Sequence, residues 1–169
     1  MSLVFVSTGT VSFPFKRLVD AIIEFYKDKP MTNVVIQSGD YKIKAIVKHI
    51  EIHPYFPLEK MIKFYKSADL IISAAGEASV FLILKYAKHK PIIIPRLKKY
   101  EEHVDDQQFL VANYLKKKKL AYTLLDINKL KTMLKKHRLK LAKKRKTSLK
   151  TSSELARLIK NLNQLTAGL

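Results

Sequence analysis

The sequence predicts a doubly wound α/β domain, a parallel sheet with helices on its faces, with basic helices at its C-terminal end. Three observations lead there. Short β-branched runs alternate with stretches of helical period, which is the order that specifies parallel strands joined by crossover helices. Runs such as Leu70-Ile71-Ile72 and Ile92-Ile93-Ile94 are continuously apolar, as buried strands are. The chain's 169 residues, 47% of them hydrophobic, are enough for a packed core, because a chain of about 150 residues buries roughly 70% of its unfolded surface.

Each element follows in order. Leu3-Val4-Phe5-Val6 is strand-like and ends at Ser7-Thr8-Gly9-Thr10. Phe15 to Tyr26 has helical period, with Leu18, Ile22, Ile23 and Tyr26 on one face. Asn33 to Gln37 is a buried strand closed by the turn Ser38-Gly39-Asp40. Ala45 to His53 alternates Ile46, Ile50 and Ile52 with polar residues, as a half-exposed strand does. Leu58 to Ser67 is helical, and Leu70 to Ile72 is the next strand. Ser73 to Ser79 is a small-residue loop before a helix that runs through Tyr86. Pro91 to Pro95 is a short strand bounded by prolines, Asp105 to Leu115 a helix, and Ala121 to Leu125 a last strand. From Ile127 the pattern is wholly helical. Leu130, Met133, Leu134, His137 and Leu141 form one amphipathic stripe, and the capping box Thr151-Ser152-Ser153-Glu154 opens a second helix with Leu155, Leu158, Ile159, Leu162 and Leu165. The expected division is a domain over 1–125 and a basic helical extension over 126–169.

Charge divides the chain a little earlier, after residue 115. Lys+Arg number 33 against 14 Asp+Glu, a formal net charge of +19. Residues 1–115 hold 16 and 12 of these, net +4, and residues 116–169 hold 17 and 2, net +15. Such a block reads as a solvated face, a nucleic-acid footprint, an anionic membrane surface or a site for an acidic partner. Nucleic acid fits less well than the others, because Lys116 to Lys160 contains one aromatic residue, Tyr122, to stack a base. With no cysteine, disulfides, thiolate metal sites and cysteine nucleophiles are excluded. No apolar run approaches the ~20 residues of a membrane span, and no basic n-region precedes Leu3. The chain is therefore expected in the cytoplasm.

In doubly wound sheets, ligands bind beyond the carboxyl ends of the strands. Three loops meet that description. Thr8, Gly9, Thr10 and Ser12 precede a helix and suit an anion or a plain structural turn. Ser73-Ala74-Ala75-Gly76-Glu77-Ala78-Ser79 allows close approach of a diphosphate, or close helix–sheet packing; Glu77 suits a helix cap or a sugar hydroxyl better than a phosphate. Arg96 to Gln108 is the most polar stretch of the domain. Its Asp105-Asp106 pair reads as dipole compensation at a helix start rather than a metal site, and His103 as a hydrogen-bonding loop residue. No cluster has metal-ligand spacing, so no metal or other cofactor is expected.

Ala68-Asp69-Leu70-Ile71-Ile72-Ser73, Ala75-Gly76 with Ser79, Pro91-Ile92-Ile93-Ile94-Pro95-Arg96, and Glu102-His103-Val104-Asp105-Asp106-Gln107-Gln108 together resemble the C-terminal domain of glycosyltransferase family 28. Val6-Ser7-Thr8-Gly9-Thr10 resembles the opening of its free-standing members, the catalytic subunits of two-part UDP-sugar transferases that act in dolichol-linked and exopolysaccharide synthesis. The resemblance covers roughly residues 3–125. It implies a Rossmann-like donor-binding half of a GT-B enzyme and inverting transfer from UDP-N-acetylglucosamine or a related hexose donor to a lipid-linked acceptor. It further implies that Gly9 and Thr10 face the diphosphate, that Phe56 to Leu58 line the uracil pocket, and that Ser73, Gly76 and Ser79 shape the diphosphate loop. Gln107 and Gln108 match paired glutamines that hydrogen-bond the donor sugar in the bacterial lipid-intermediate transferase, with His103 and Asp105 before them in the same order. This chain has Ala74 and Ala78 where many relatives have histidine and glycine, and Leu82 where the bacterial enzyme has a ribose-binding glutamate.

Arg96 and loop N–H groups can stabilise a departing diphosphate. The acceptor base is expected on a membrane-anchored partner subunit, and no catalytic residue is assigned to this chain. The basic helices would dock on the partner and face anionic lipid, placing the chain peripherally at the cytoplasmic face of a membrane. The rival readings are a basic nucleic-acid-binding module and a non-catalytic subunit that keeps the fold.

Overall fold

The computed structural model describes residues 2–10, 12–44, 47–140, 160, 161 and 164. Six strands, β1 (Ser2–Ser7), β2 (Thr32–Gln37), β3 (Ile50–His53), β4 (Leu70–Ala74), β5 (Ile92–Ile94) and β6 (Tyr122–Thr123), form one sheet. Its order is β3-β2-β1-β4-β5-β6, and every pairing is parallel. The helices are α1 (Lys16–Tyr26), α2 (Leu58–Ser67), α3 (Glu77–Tyr86), α4 (Gln107–Lys117) and α5 (Leu130–Lys140).

Apolar residues on both sides of the pleat build two cores. Val4, Val6, Val34, Ile36, Leu70, Ile72, Ile92 and Ile94 pack with Leu18 and Ile22 of α1 and with Leu130 and Leu134 of α5. Phe5, Val35, Ile71 and Ile93 face the other way, onto Met61 and Tyr65 of α2, Val80 and Ile83 of α3, and Val111 and Leu115 of α4. The sheet is thus covered on both faces, as the continuous apolar runs require. Helix ends obey local electrostatics: α2 opens after Pro57, carries Glu59 in its first turn and ends with Lys66, each charge opposing the helix dipole.

Several boundaries differ from the sequence expectation. The strand expected over Ala45 to His53 is only β3, because residues 48–49 turn before it and His49 O accepts from Val34 N at 2.9 Å; residues 45 and 46 lie outside the described residues. α3 begins at Glu77, so Ser79 sits in its first turn rather than in a loop. α4 begins at Gln107, whose N–H donates to Asp105 Oδ1 at 3.0 Å. Asp126 caps a single 3-10 turn, Ile127–Lys129, by accepting from Asn128 N at 3.0 Å before α5 starts.

Leu130 and Leu134 are each 1% exposed, so this part of the stripe assigned to partner docking faces the domain's own core. Leu141 and the helix expected from Thr151 lie outside the described residues, apart from helical positions 160, 161 and 164, and the side chain of His137 is likewise not described. Asn161 Nδ2 donates to Tyr114 Oη at 3.0 Å. Among the described residues no helix is long and apolar enough to cross a membrane.

Candidate functional site

The chain leaves β1 for β2 on one side and returns to β4 on the other, so a crevice opens at the carboxyl ends of β1 and β4. There the register aligns His53, Gln37, Ser7 and Ser73 side by side across β3, β2, β1 and β4. The loops after β1 and β2 are locked together. Thr8 N and Oγ1 both donate to Gln37 O, at 3.0 and 3.1 Å, and Gln37 Nε2 donates to Gly9 O at 3.4 Å. Gly9 and Gly39 have φ of +84° and +60°; a Cβ at Gly39 would lie 3.3 Å from Thr8 Oγ1, so the loops nest only around glycine.

The loop after β4 enters α3 through Gly76, an N-cap with no side-chain hydrogen bond, leaving first-turn N–H groups for a ligand. Beside it lies a cavity of about 300 Å³ lined by Ala75, Gly76, Glu77, His103, Gln107, Gln108 and Val111. Gln108 builds its wall. The side chain is 5% exposed, and its Oε1 accepts from Ala75 N and from Arg96 N, both at 3.1 Å, tying the β4 loop to the β5 loop. His103 Nδ1 lies 2.9 Å from Asp105 Oδ1, the oxygen that also receives Gln107 N.

Behind the crevice, the Arg17 guanidinium pairs with the Glu102 carboxylate, and Arg96 lies within its electrostatic reach. Glu102, 3% exposed, accepts from Arg17 Nε at 2.5 Å, Arg17 Nη2 at 2.9 Å and Leu97 N at 3.1 Å. Arg17 Nη2 also donates to Pro95 O at 2.8 Å, and its guanidinium lies 4.7 Å from the Tyr100 ring centre. Arg96 is 1% exposed, donates through Nη2 to Thr8 O and stacks 5.6 Å from the Phe15 ring centre. Burial pulls its pKa below the ordinary arginine value, and the Glu102 carboxylate opposes that shift. Arginine stays protonated under such shifts, so the group carries an excess positive charge toward the crevice. On the α2 side, burial pushes the Tyr65 hydroxyl up to about 12, opposed by the neighbouring hydroxyls of Ser7 and Ser79.

The family model of the glycosyltransferase family 28 C-terminal domain matches residues 3–162. The chain belongs to that family. Among solved structures, this family 28 domain resembles MurG of Acinetobacter baumannii, with 18% identity and a TM-score of 0.63 over 96% of this chain and 52% of that one. It also resembles the glycotransferase of kitacinnamycin, with 15% identity and a TM-score of 0.61 over 99% of this chain and 39% of that one. The chain thus spans about half or less of the length of each, and the likeness is one of fold. No curated protein matches it.

Of the residues singled out from the family 28 sequence, the structure brings Gly76, His103, Gln107 and Gln108 to one cavity, with Asp105 supporting His103. Gly9 and exposed Thr10 lie on the loop after β1, Ser73 is fully buried near the end of β4, and Ser79 lies in the first turn of α3. Arg96 is enclosed and does not line that cavity. Phe56 and Leu58 do not line that cavity. Phe56 N donates to Gln37 Oε1 at 3.3 Å and its ring packs 5.1 Å from Phe64, while Leu58 is 58% exposed at the start of α2. The residues that sequence reasoning missed are Arg17, Glu102 and Tyr65. Glu102 had a signal, since it precedes His103 in the most polar loop of the domain; Arg17 and Tyr65 read as ordinary helix residues. Among the described residues, no three or more His, Asp or Glu side chains converge as metal ligands.

Proposed function

We propose that this chain is the donor-binding and catalytic half of an inverting UDP-sugar glycosyltransferase, with UDP-N-acetylglucosamine or a related hexose as donor. The observation that carries this reading is the cavity beside α3, where a helix N-terminus meets His103, Gln107 and Gln108. First-turn N–H groups of α3 receive the diphosphate, and the helix dipole and the field of Arg96 offset the charge that develops on the leaving UDP. Gln107, half-buried on the cavity wall, donates to the sugar hydroxyls, while Gln108 holds the wall through its bonds to Ala75 N and Arg96 N. Attack on the anomeric carbon requires a base on the acceptor side, which we assign to a membrane-associated partner subunit carrying a lipid-linked acceptor. The basic segment after α5 then faces the anionic surface on which that acceptor lies.

Thermal unfolding with ligand tests the reading. Saturating UDP at a hundred times its Kd adds about 2.7 kcal/mol of stability and raises Tm accordingly. UDP-N-acetylglucosamine should add more than UDP in the native chain and no more than UDP in Gln107→Ala. Absence of any shift at millimolar UDP would overturn the donor assignment.

A further inference from the structure

A second cavity, of about 320 Å³, opens on the α1 side of the sheet, between β3 and the segment that follows the β2 turn. Its base is firm: Ser38 N donates to His53 O at 2.9 Å and Gly39 N to Pro54 O at 3.0 Å. Residues 41–44 strap across it without regular structure, yet they alternate as an extended chain does. Tyr41 and Ile43 turn inward, half-buried against the first core, while Lys42 and Lys44 are exposed. The strap is pinned by Tyr41 Oη, which donates to Asp20 Oδ1 at 2.9 Å. The result is a floor of Tyr41, Ile43, Ile52 and Pro54 under a rim of two lysines. Lys42 and Lys44 form no ion pair among the described residues. Of the nearby carboxylates, Asp20 accepts from Tyr41 and Asp40 from Tyr55, and Glu51 lies 3.7 Å from His53.

We propose that this cavity is a second binding site, separate from the crevice beside α3, for an organic phosphate or diphosphate with a short apolar tail. Its volume is at the low end of small-molecule sites, and two unpaired cations over an apolar floor complement a ligand that is anionic at one end and greasy at the other. Gly39 joins the two sites. It lines this cavity, and a Cβ on it would meet Thr8 Oγ1 at 3.3 Å and Gly9 O at 3.4 Å, so the wall here backs onto the first donor loop. If the donor reading holds, the site is placed to receive the phosphate end of a lipid-linked substrate, but its existence does not depend on that reading.

The test uses the full chain with geranyl phosphate, geraniol, inorganic phosphate and UDP, followed by calorimetry and by amide chemical shifts. Geranyl phosphate should shift the amides of Gly39, Ile43 and Ile52 and bind at least about tenfold tighter than geraniol or inorganic phosphate. Lys42→Glu with Lys44→Glu should weaken it at least about tenfold, through the reversed Coulomb term, while leaving stabilisation by UDP unchanged. The neutral pair Lys42→Gln and Lys44→Gln should fall between. Unchanged affinity in the charge-reversed chain, competition by saturating UDP at the same amides, or no binding at millimolar geranyl phosphate would each overturn the proposal. Equal binding of inorganic phosphate would overturn its apolar half. A chain that binds geranyl phosphate but not UDP would refute the donor assignment and leave this one standing.

Discussion

Gln108→Ala separates a wall-building role from a sugar-contact role. The amide oxygen of Gln108 is the acceptor for two buried N–H groups, those of Ala75 and Arg96, each at 3.1 Å. Truncation leaves both donors without that partner, and an unsatisfied buried group costs about 1–3 kcal/mol. The adjoining cavity lets water reach part of the space, which places the expected loss near the lower end, about 2–3 kcal/mol in total. For a chain of this size that lowers Tm by about 4–12 °C. Urea denaturation measures it directly, and Gln108→Glu, which keeps an oxygen in place, should recover most of the loss. Because the two loops move together, Gln108→Ala should weaken UDP and UDP-sugar by similar factors, whereas Gln107→Ala should weaken only the sugar-bearing ligand. A stability change below about 0.5 kcal/mol, the range of ordinary surface substitutions, combined with a purely sugar-selective affinity loss, would refute the reasoning.

Three further outcomes follow from the same geometry. The Tyr65 hydroxyl, raised to about 12 by burial, stays protonated in the folded chain while the unfolded chain loses its proton near pH 10. Stability therefore falls as pH rises from about 10 to 12, by up to about 1.4 kcal/mol per unit; Tyr65→Phe should flatten that alkaline limb in pH-dependent urea melts, and an unchanged slope would exclude the residue as its source. Gly9→Ala and Gly39→Ala each force a side chain into left-handed backbone at about 1–2 kcal/mol, but Gly39→Ala should be the worse of the two in chemical denaturation, since its Cβ meets Thr8 Oγ1 at 3.3 Å while that of Gly9 meets nothing within 4 Å. Glu102→Gln removes the carboxylate that pairs with Arg17, and the expected stability loss, measured by the same denaturation, is about 3–5 kcal/mol; a neutral effect would show that the pair contributes nothing net.

The order of strands and helices was legible because β1, β2, β4 and β5 carry apolar residues on both sides and the crossover helices carry their own stripes. The boundaries were less so. Ile46, Ile50 and Ile52 alternate as a long strand would, yet pairing with β2 begins only at Ile50, because register depends on a neighbour that local alternation does not reveal. In the candidate site, Gly76, His103, Gln107 and Gln108 were readable as polar or small residues at strand ends. Arg17 was not, since its partner Glu102 lies 85 residues away and only the fold brings the two together. Gln108 was readable as a polar residue but not as the acceptor for two backbone groups from different loops.

The basic C-terminal part divides where the sequence shows no break. Through Lys140 it is helix α5, whose Leu130 and Leu134 complete the core over α1 and β1. Beyond Lys140 the sequence carries Lys143, Lys144, Arg145, Lys146, Lys150, Arg157 and Lys160 against Glu154 alone. Removing everything after Leu125 therefore exposes the first core, and loss of a buried leucine alone costs about 2–5 kcal/mol. That truncation cannot isolate docking from folding. Truncation after Lys140 can, because it keeps both leucines and gives up, among the described contacts, the bond from Asn161 to Tyr114. The expected result is a chain with near-native Tm and unchanged UDP response that binds vesicles containing anionic lipid far more weakly than the full chain. At about 1 kcal/mol for each basic residue near the surface, losing even three contacts lowers vesicle affinity more than a hundredfold. Equal flotation of the two chains with such vesicles would place the membrane or partner contact on the domain itself.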